Sequence, residues 1–293
     1  MTTRPFAVVL AGGGARGYAH VGALRALEHM GCVPAGIVGV SMGAVVAATY
    51  AVRADWYEAL LAVPLSGRAV RARGHGSKDV SARAIRRAWA GARTAWSMTT
   101  GWGAPDALAD AAKKTLDDLI GPGSLDGGRI PVTVCATDLI TGTQVELSTG
   151  PAAPAVYASS ALAGVLPPAE HDGMLLADGA YTDVAPVDVA RRMGFPVVVA
   201  VDPSQGADGG PVRNGLAAVM RAMEICHTTH AHLSVDRADL VVRPEFGRFV
   251  DVLDFGARRV CVAAGAWAVR ACRHEIGRLL GAEPPIRDGE VRP

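Results

Sequence analysis

The sequence lacks most of the features that quickly assign a protein to a class. It has five cysteines in 293 residues, Cys32, Cys135, Cys226, Cys261 and Cys272, odd in number, widely spread and without a Cys-x-x-Cys pair. That pattern argues against a disulfide framework or a thiolate zinc site, and the thiols read as reduced and mostly buried. Neither sign of charge is in excess. With 29 basic against 28 acidic residues the net charge is +1, which is not the balance of a protein that coats nucleic acid. No apolar run approaches the roughly 18 residues of a membrane-spanning helix. The longest, Ala44 to Val52 and Val197 to Val201, suit a buried helix and a buried strand. The opening Met1-Thr2-Thr3-Arg4-Pro5 leads into only Phe6 to Ala11 before glycines begin, too little for a secretory leader, so the expected location is the cytoplasm.

Glycine, by contrast, is abundant, with 35 residues, and it punctuates an alternation of apolar runs and helical stretches. Phe6 to Ala11 reads as a strand, Gly12 to Gly17 as a tight turn, and Tyr18 to Met30 as a helix with apolar Val21, Leu24, Leu27 and Met30. Ile37 to Val40 gives a second strand, and Ala44 to Val52 a second helix rich in small residues. Two βα units in about 50 residues imply a parallel sheet. Later strands are expected at Val132–Thr137, Gln144–Leu147, Met174–Ala177, Val197–Val201 and Leu240–Val242. Helices are expected near 107–120, 186–193, 215–234 and 257–280. The reading is one α/β domain over 1–293, closing with a C-terminal helix and tail over 255–293.

One segment differs in character. Residues 66–105 carry a net +7, leaving −6 for the remainder of the chain, and they include Trp89, Trp96 and Trp102. Ala82, Ile85, Trp89, Ala92 and Trp96 recur at helical spacing with arginines mostly off that line. This basic insertion can act as a lid, lie on an anionic lipid surface, or pack on the domain with its arginines solvated.

Two glycine turns carry the chemistry. Taken literally, Gly12-Gly13-Gly14-Ala15-Arg16-Gly17 matches the dinucleotide-binding fingerprint, but the second strand ends in Val40-Ser41 where a ribose-binding acid belongs. Tyr18 also stands where a Walker loop needs lysine. What remains is a run of backbone N–H donors at a helix N-terminus, suited to a developing oxyanion, or a turn needed only for close packing. Gly39-Val40-Ser41-Met42-Gly43 has the form of a strand–serine–helix elbow, which lifts a serine hydroxyl clear of the sheet. Such a serine needs a base. Asp178, in Leu175-Leu176-Ala177-Asp178-Gly179-Ala180, would sit at the carboxyl edge of the sheet, as a general base or as a turn aspartate bonding its own backbone. His227, His230 and His232 follow late enough to serve as base in an ordinary α/β-hydrolase, yet there several strands precede the elbow. Together with Glu224 and Cys226 these histidines suggest a metal only weakly, and no metal or cofactor is expected. Asp202 ends a strand without an accompanying nucleophile and reads as structural.

The ordered set of Gly12–Gly17, Gly39–Gly43 and Asp178-Gly179-Ala180 resembles the patatin-like phospholipase family, in particular small bacterial members of its neuropathy-target-esterase branch. Ala136-Thr137-Asp138-Leu139 with Gly142, Ala158-Ser159-Ser160-Ala161 running to Pro167-Pro168, and Pro186-Val187 extend the resemblance over roughly residues 5–205. Val184, where many relatives have asparagine, and Ala180, in place of a glycine, depart from the pattern. The resemblance implies a three-layer α/β/α fold with a mainly parallel central sheet. It implies a Ser41–Asp178 dyad without histidine, and an oxyanion hole from Gly12, Gly13 and Gly14 with Arg16 nearby. The implied reaction is hydrolysis of acyl esters in lipids through an acyl-enzyme. The same dyad also suits an acyltransferase or thioesterase, or a weakly active module bound at a membrane surface.

Overall fold

The computed structural model describes residues 4–62, 101–102, 106–206, 210–213 and 215–281. Among the described residues eight strands form one sheet: β1 (Phe6–Leu10), β2 (Gly36–Val40), β3 (Val132–Asp138), β4 (Gln144–Leu147), β5 (Ala169–His171), β6 (Met174–Asp178), β7 (Val197–Val201) and β8 (Leu240–Val242). Every residue of β1, β2, β3 and β7 is buried, as expected of strands covered on both faces. The strands run parallel in the succession β3, β2, β1, β7, β8. β4 and β6 both pair antiparallel with β3.

That last arrangement positions the site. Val134 and Cys135 of β3 pair with both β2 and β4, so those two strands occupy opposite edges. Ala136 and Thr137 pair with both β4 and β6, so β6 must lie on the edge that β2 occupies one step earlier. β2 ends with Val40 opposite Cys135, and β6 ends with Asp178 opposite Ala136. The last residues of two strands running in opposite directions therefore meet on adjacent rungs of one edge.

Helices cover both faces. On one lie α1 (Tyr18–His29), α2 (Met42–Val52), α3 (Trp56–Ala62), α4 (Asp106–Ile120), α5 (Ala152–Ser160), α8 (Arg258–Ala271) and α9 (Arg273–Leu280), packed on Phe6, Val8 and Leu10. On the other lie α6 (Val187–Arg192) and the end of α7 (Gly215–Val235), packed on Ala7, Val9 and Ala11. The alternation along β1 thus feeds two cores, giving three layers. All but the last residue of α2 are buried, which its small and apolar composition permits.

The structure adds β5, α3 and α5 to the elements expected from sequence, and it divides the expected 257–280 helix into α8 and α9 at Cys272. Apart from residues 101–102, the basic insertion 66–105 lies outside the described residues, as does the tail beyond residue 281. Among the described residues no helix is long and apolar enough to cross a membrane. All five cysteines are free, with Cys32, Cys135 and Cys261 buried.

Candidate active site

Ser41 lies between β2 and α2 with φ 53° and ψ −123°, a left-handed conformation that costs a non-glycine residue roughly 1–3 kcal/mol. The neighbouring glycines make it feasible, because a Cβ on Gly39 would press on the Gly43 carbonyl and one on Gly43 would press on the Leu10 carbonyl. The turn is also clamped from α5. Ser41 N–H donates to Ser159 Oγ at 2.9 Å, Ser159 Oγ–H donates to the Cys135 carbonyl at 2.6 Å, and Ser160 Oγ–H donates to the Ser41 carbonyl at 3.3 Å. In the sequence Ser159 and Ser160 stand out only as part of the family resemblance; nothing in an adjacent serine pair signals that it grips a turn far away in the chain.

Ser41 Oγ–H donates to Asp178 Oδ2 at 2.6 Å, and Asp178 Oδ1 accepts from Ala180 N–H at 2.9 Å. Asp178 is 3% exposed. Burial pushes its carboxyl up to about 6 from an ordinary 3.8, against the opposing pull of the Ser41 hydroxyl and the Ala180 amide. A carboxylate raised toward neutrality and bonded to a hydroxyl at a helix N-terminus is suited to accept that hydroxyl's proton, while the helix end favours negative charge on the oxygen. The Ala180 amide supports Asp178 directly. Val184 acts elsewhere, its carbonyl accepting from Gly12 N–H at 2.9 Å.

The first glycine turn packs against both halves of this pair. A Cβ at Gly12 would lie 3.5 Å from Ala180 Cβ and 3.7 Å from Val40 Cγ1, and one at Gly17 would lie 2.7 Å from Met42 Cβ. Gly14 has φ +55° and lies on the Val252 carbonyl, with no room for a side chain. Of the four residues expected to form an oxyanion hole, Gly12 and Arg16 already use their N–H groups, on Val184 and on the Gly13 carbonyl. Among the described residues, no hydrogen bond uses the N–H of Gly13 or Gly14.

The Arg16 side chain is buried and turned toward α7, where Nη1 lies 3.1 Å from Glu224 Oε1. His20 and Asp202 are buried beside the loop: His20 Nε2–H donates to the Ala11 carbonyl at 2.8 Å, and burial lowers its pKa to about 4. Asp202 accepts from Ser204 N–H at 3.0 Å and lies 3.7 Å from Arg243. Neither contacts Ser41. His227 stacks obliquely on Tyr181, with 5.7 Å between ring centroids, and no histidine bonds Ser41 Oγ among the described residues. Nor does any group of three or more His, Cys, Asp or Glu there come together in a way that could hold a metal ion.

The site thus joins a serine on a strained strand-to-helix turn to a buried carboxylate, beside backbone amides that no hydrogen bond uses among the described residues. The comparisons with known proteins carry this to a family: the patatin-like phospholipase family model matches residues 8–191, and the chain belongs to that family with its three-layer fold. It is 34% identical over 209 residues to uncharacterized NTE family proteins of Mycobacterium bovis and Mycobacterium tuberculosis, covering 71% of this chain and 51% of each relative. It is 30% identical over 212 residues to lysophospholipase NTE1 of Saccharomyces cerevisiae, covering 71% of this chain and 11% of that protein. The chain thus spans about half the length of its mycobacterial relatives. Among solved structures, VipD from Legionella pneumophila matches with a TM-score of 0.45 at 13% identity, over 92% of this chain and 66% of that one. Human GIVD cytosolic phospholipase A2 matches with a TM-score of 0.38 at 13% identity, over 94% and 59%.

Proposed function

We propose that the protein hydrolyses acyl esters of lipids, of the phospholipid or lysophospholipid kind, with Ser41 as nucleophile and Asp178 as its base. The observation that carries this reading is the 2.6 Å hydrogen bond from the Ser41 hydroxyl to the buried Asp178 carboxylate. Membership of the patatin-like family and likeness to a protein named lysophospholipase support the choice of substrate.

In this reading Ser41 Oγ bonds to the ester carbonyl carbon while its proton passes to Asp178 Oδ2. The carbonyl oxygen takes up the electron pair as an oxyanion and receives the N–H groups of Gly13 and Gly14; Gly12 and Arg16 shape the loop that presents them. When the tetrahedral adduct collapses, the bond to the leaving alkoxide breaks and that oxygen takes the proton from Asp178. A water then attacks the acyl-enzyme, giving a proton to the same carboxylate, and a second collapse releases the acid and restores the Ser41 hydroxyl.

The test is Ser41→Ala in pure protein, assayed on p-nitrophenyl acyl esters and with a fluorophosphonate label. Turnover and labelling should both vanish, and an intact rate would remove Ser41 as nucleophile. The setting of this reading is the cytoplasm, with contact to an anionic lipid surface through the 66–105 segment and its net +7 charge. Flotation with anionic and neutral vesicles tests that contact, and failure to bind either would remove it.

A further inference from the structure

Tyr181, in the turn that follows Asp178, and α7 line a groove of about 300 Å³, at the small end of the range for ligand sites. Its helical wall is a stripe of Val219, Ala222, Met223, Cys226 and His227, spaced as one face of a helix. Only Ala231 and Val235, at the far end of α7, are buried among its described side chains; in the stripe Met223 and His227 are half-buried, His227 against Tyr181, while Val219, Ala222 and Cys226 are exposed. Val219 is 56% exposed, an unfavourable state for an apolar side chain facing a concave surface.

Two contacts tie this groove to the reacting centre. Tyr181 belongs to the same 3₁₀ turn that begins after Asp178, and its hydroxyl accepts from Ala163 N–H at 2.9 Å, which fixes the ring as a wall. On the other side, Glu224 pairs with Arg16 of the glycine turn, anchoring the same stretch of α7 to the loop that flanks Ser41. One wall of the groove thus continues the turn that carries Asp178, and the other is tied to the glycine turn that packs on the Ser41 elbow.

Its chemistry selects one end of an ester. No Lys, Arg, Asp or Glu lines it, and burial together with the neighbouring His230 lowers the pKa of His227. A charged head group placed there would lose water and find only the His227 and His230 rings as partners. A hydrocarbon chain would cover the apolar stripe at no such cost.

We propose that the groove between Tyr181 and α7 is the subsite for the acyl chain of the ester, and that Val219, Ala222 and Met223 set the chain length accepted. This rests on the Ser41–Asp178 reading above. The experiment is a series of p-nitrophenyl esters, acetate, butyrate, octanoate and decanoate, with wild type and Ala222→Trp, which fills the groove from an exposed helix position. In wild type, kcat/KM should climb with chain length by up to about fourfold per added methylene until the groove is full. In Ala222→Trp the octanoate-to-acetate ratio of kcat/KM should fall by about tenfold or more.

Val219→Gln, also exposed, should lower the same ratio and guards against misfolding of the tryptophan variant; a thermal melt of each confirms the fold. If wild type turns over acetate and takes the fluorophosphonate label, yet its chain-length profile is flat or is shared by both variants, the subsite is wrong while the pair stands. If no ester is turned over and no label is taken, both readings fall together. Earlier elution of wild type than of Ala222→Trp in size-exclusion chromatography would make the stripe a contact between copies and overturn the proposal.

Discussion

Replacing the base should make this protein more stable as well as slower. Asp178→Asn keeps the local bonding pattern, since the amide oxygen can accept from Ala180 N–H and the amide nitrogen can donate to Ser41 Oγ. What it removes is a buried negative charge. A carboxyl whose folded pKa of about 6 lies above its ordinary 3.8 binds its proton more tightly when folded. The folded state is therefore relatively favoured below about pH 4, that advantage is lost as pH rises through about 6, and the full penalty persists above. A gap of about two units is worth about 3 kcal/mol at about pH 8, and roughly half of that at about pH 5, where the folded-state acid is still mostly protonated. In melting temperature the gain at the higher pH is roughly 5–10 °C for a chain of this size. The assay is a pair of thermal melts of wild type and Asp178→Asn at the two pH values, alongside ester turnover, which should fall by about 10²-fold or more. A stabilisation that does not shrink at the lower pH, or a destabilised variant, would refute the assignment of a strained buried charge. A near-normal rate would refute the base.

Three further outcomes follow from the same geometry. For wild type, kcat/KM on a soluble ester should rise about tenfold per pH unit below about 6 and level off above it, because only ionised Asp178 can take the proton; a profile flat across that range would assign the base elsewhere. Ser159→Ala leaves the Ser41 amide and the Cys135 carbonyl without their shared partner, so stability should drop by about 1–3 kcal/mol in urea unfolding and kcat should drop with it. Unchanged values for both would show that the elbow holds itself. Glu224→Gln strands the buried Arg16 guanidinium and should cost about 3 kcal/mol, with Glu224→Asp milder; equal unfolding midpoints for all three proteins would mean that the ion pair adds nothing.

What could be read from the sequence tracks how local each cause is. The β1 and β2 runs, the two glycine turns and the acid before Gly179 declare themselves through residues a few positions apart, and the strands and principal helices lie close to where the apolar runs put them. α5 escaped because its run of Ala, Pro and Ser shows no helical periodicity of hydrophobicity, although its face is buried against the sheet. β5 is three residues long and exists through its pairing with β6. The role of Arg16 could be named only loosely from sequence, since its partner Glu224 lies on a helix more than 200 residues later. The four expected oxyanion residues divide for a similar reason: whether a backbone N–H is free depends on whether a carbonyl such as that of Val184 reaches it, and spacing carries no information on that.

The shared edge of β3 has a consequence for how the site comes into being. Ser41 and the glycine turn belong to the first fifty residues of the chain, but the rung that seats Asp178 next to Ser41 exists only after β6 has been made and has paired with Ala136. The serines that clamp the elbow come from α5, shortly before β6. As a chain emerges from the ribosome the elbow serine is thus present long before the carboxylate it bonds and before the clamp on its unfavourable backbone. The pair is assembled only when β6 joins β3, so an incompletely folded copy should be unreactive toward the fluorophosphonate, and labelling would then count folded molecules.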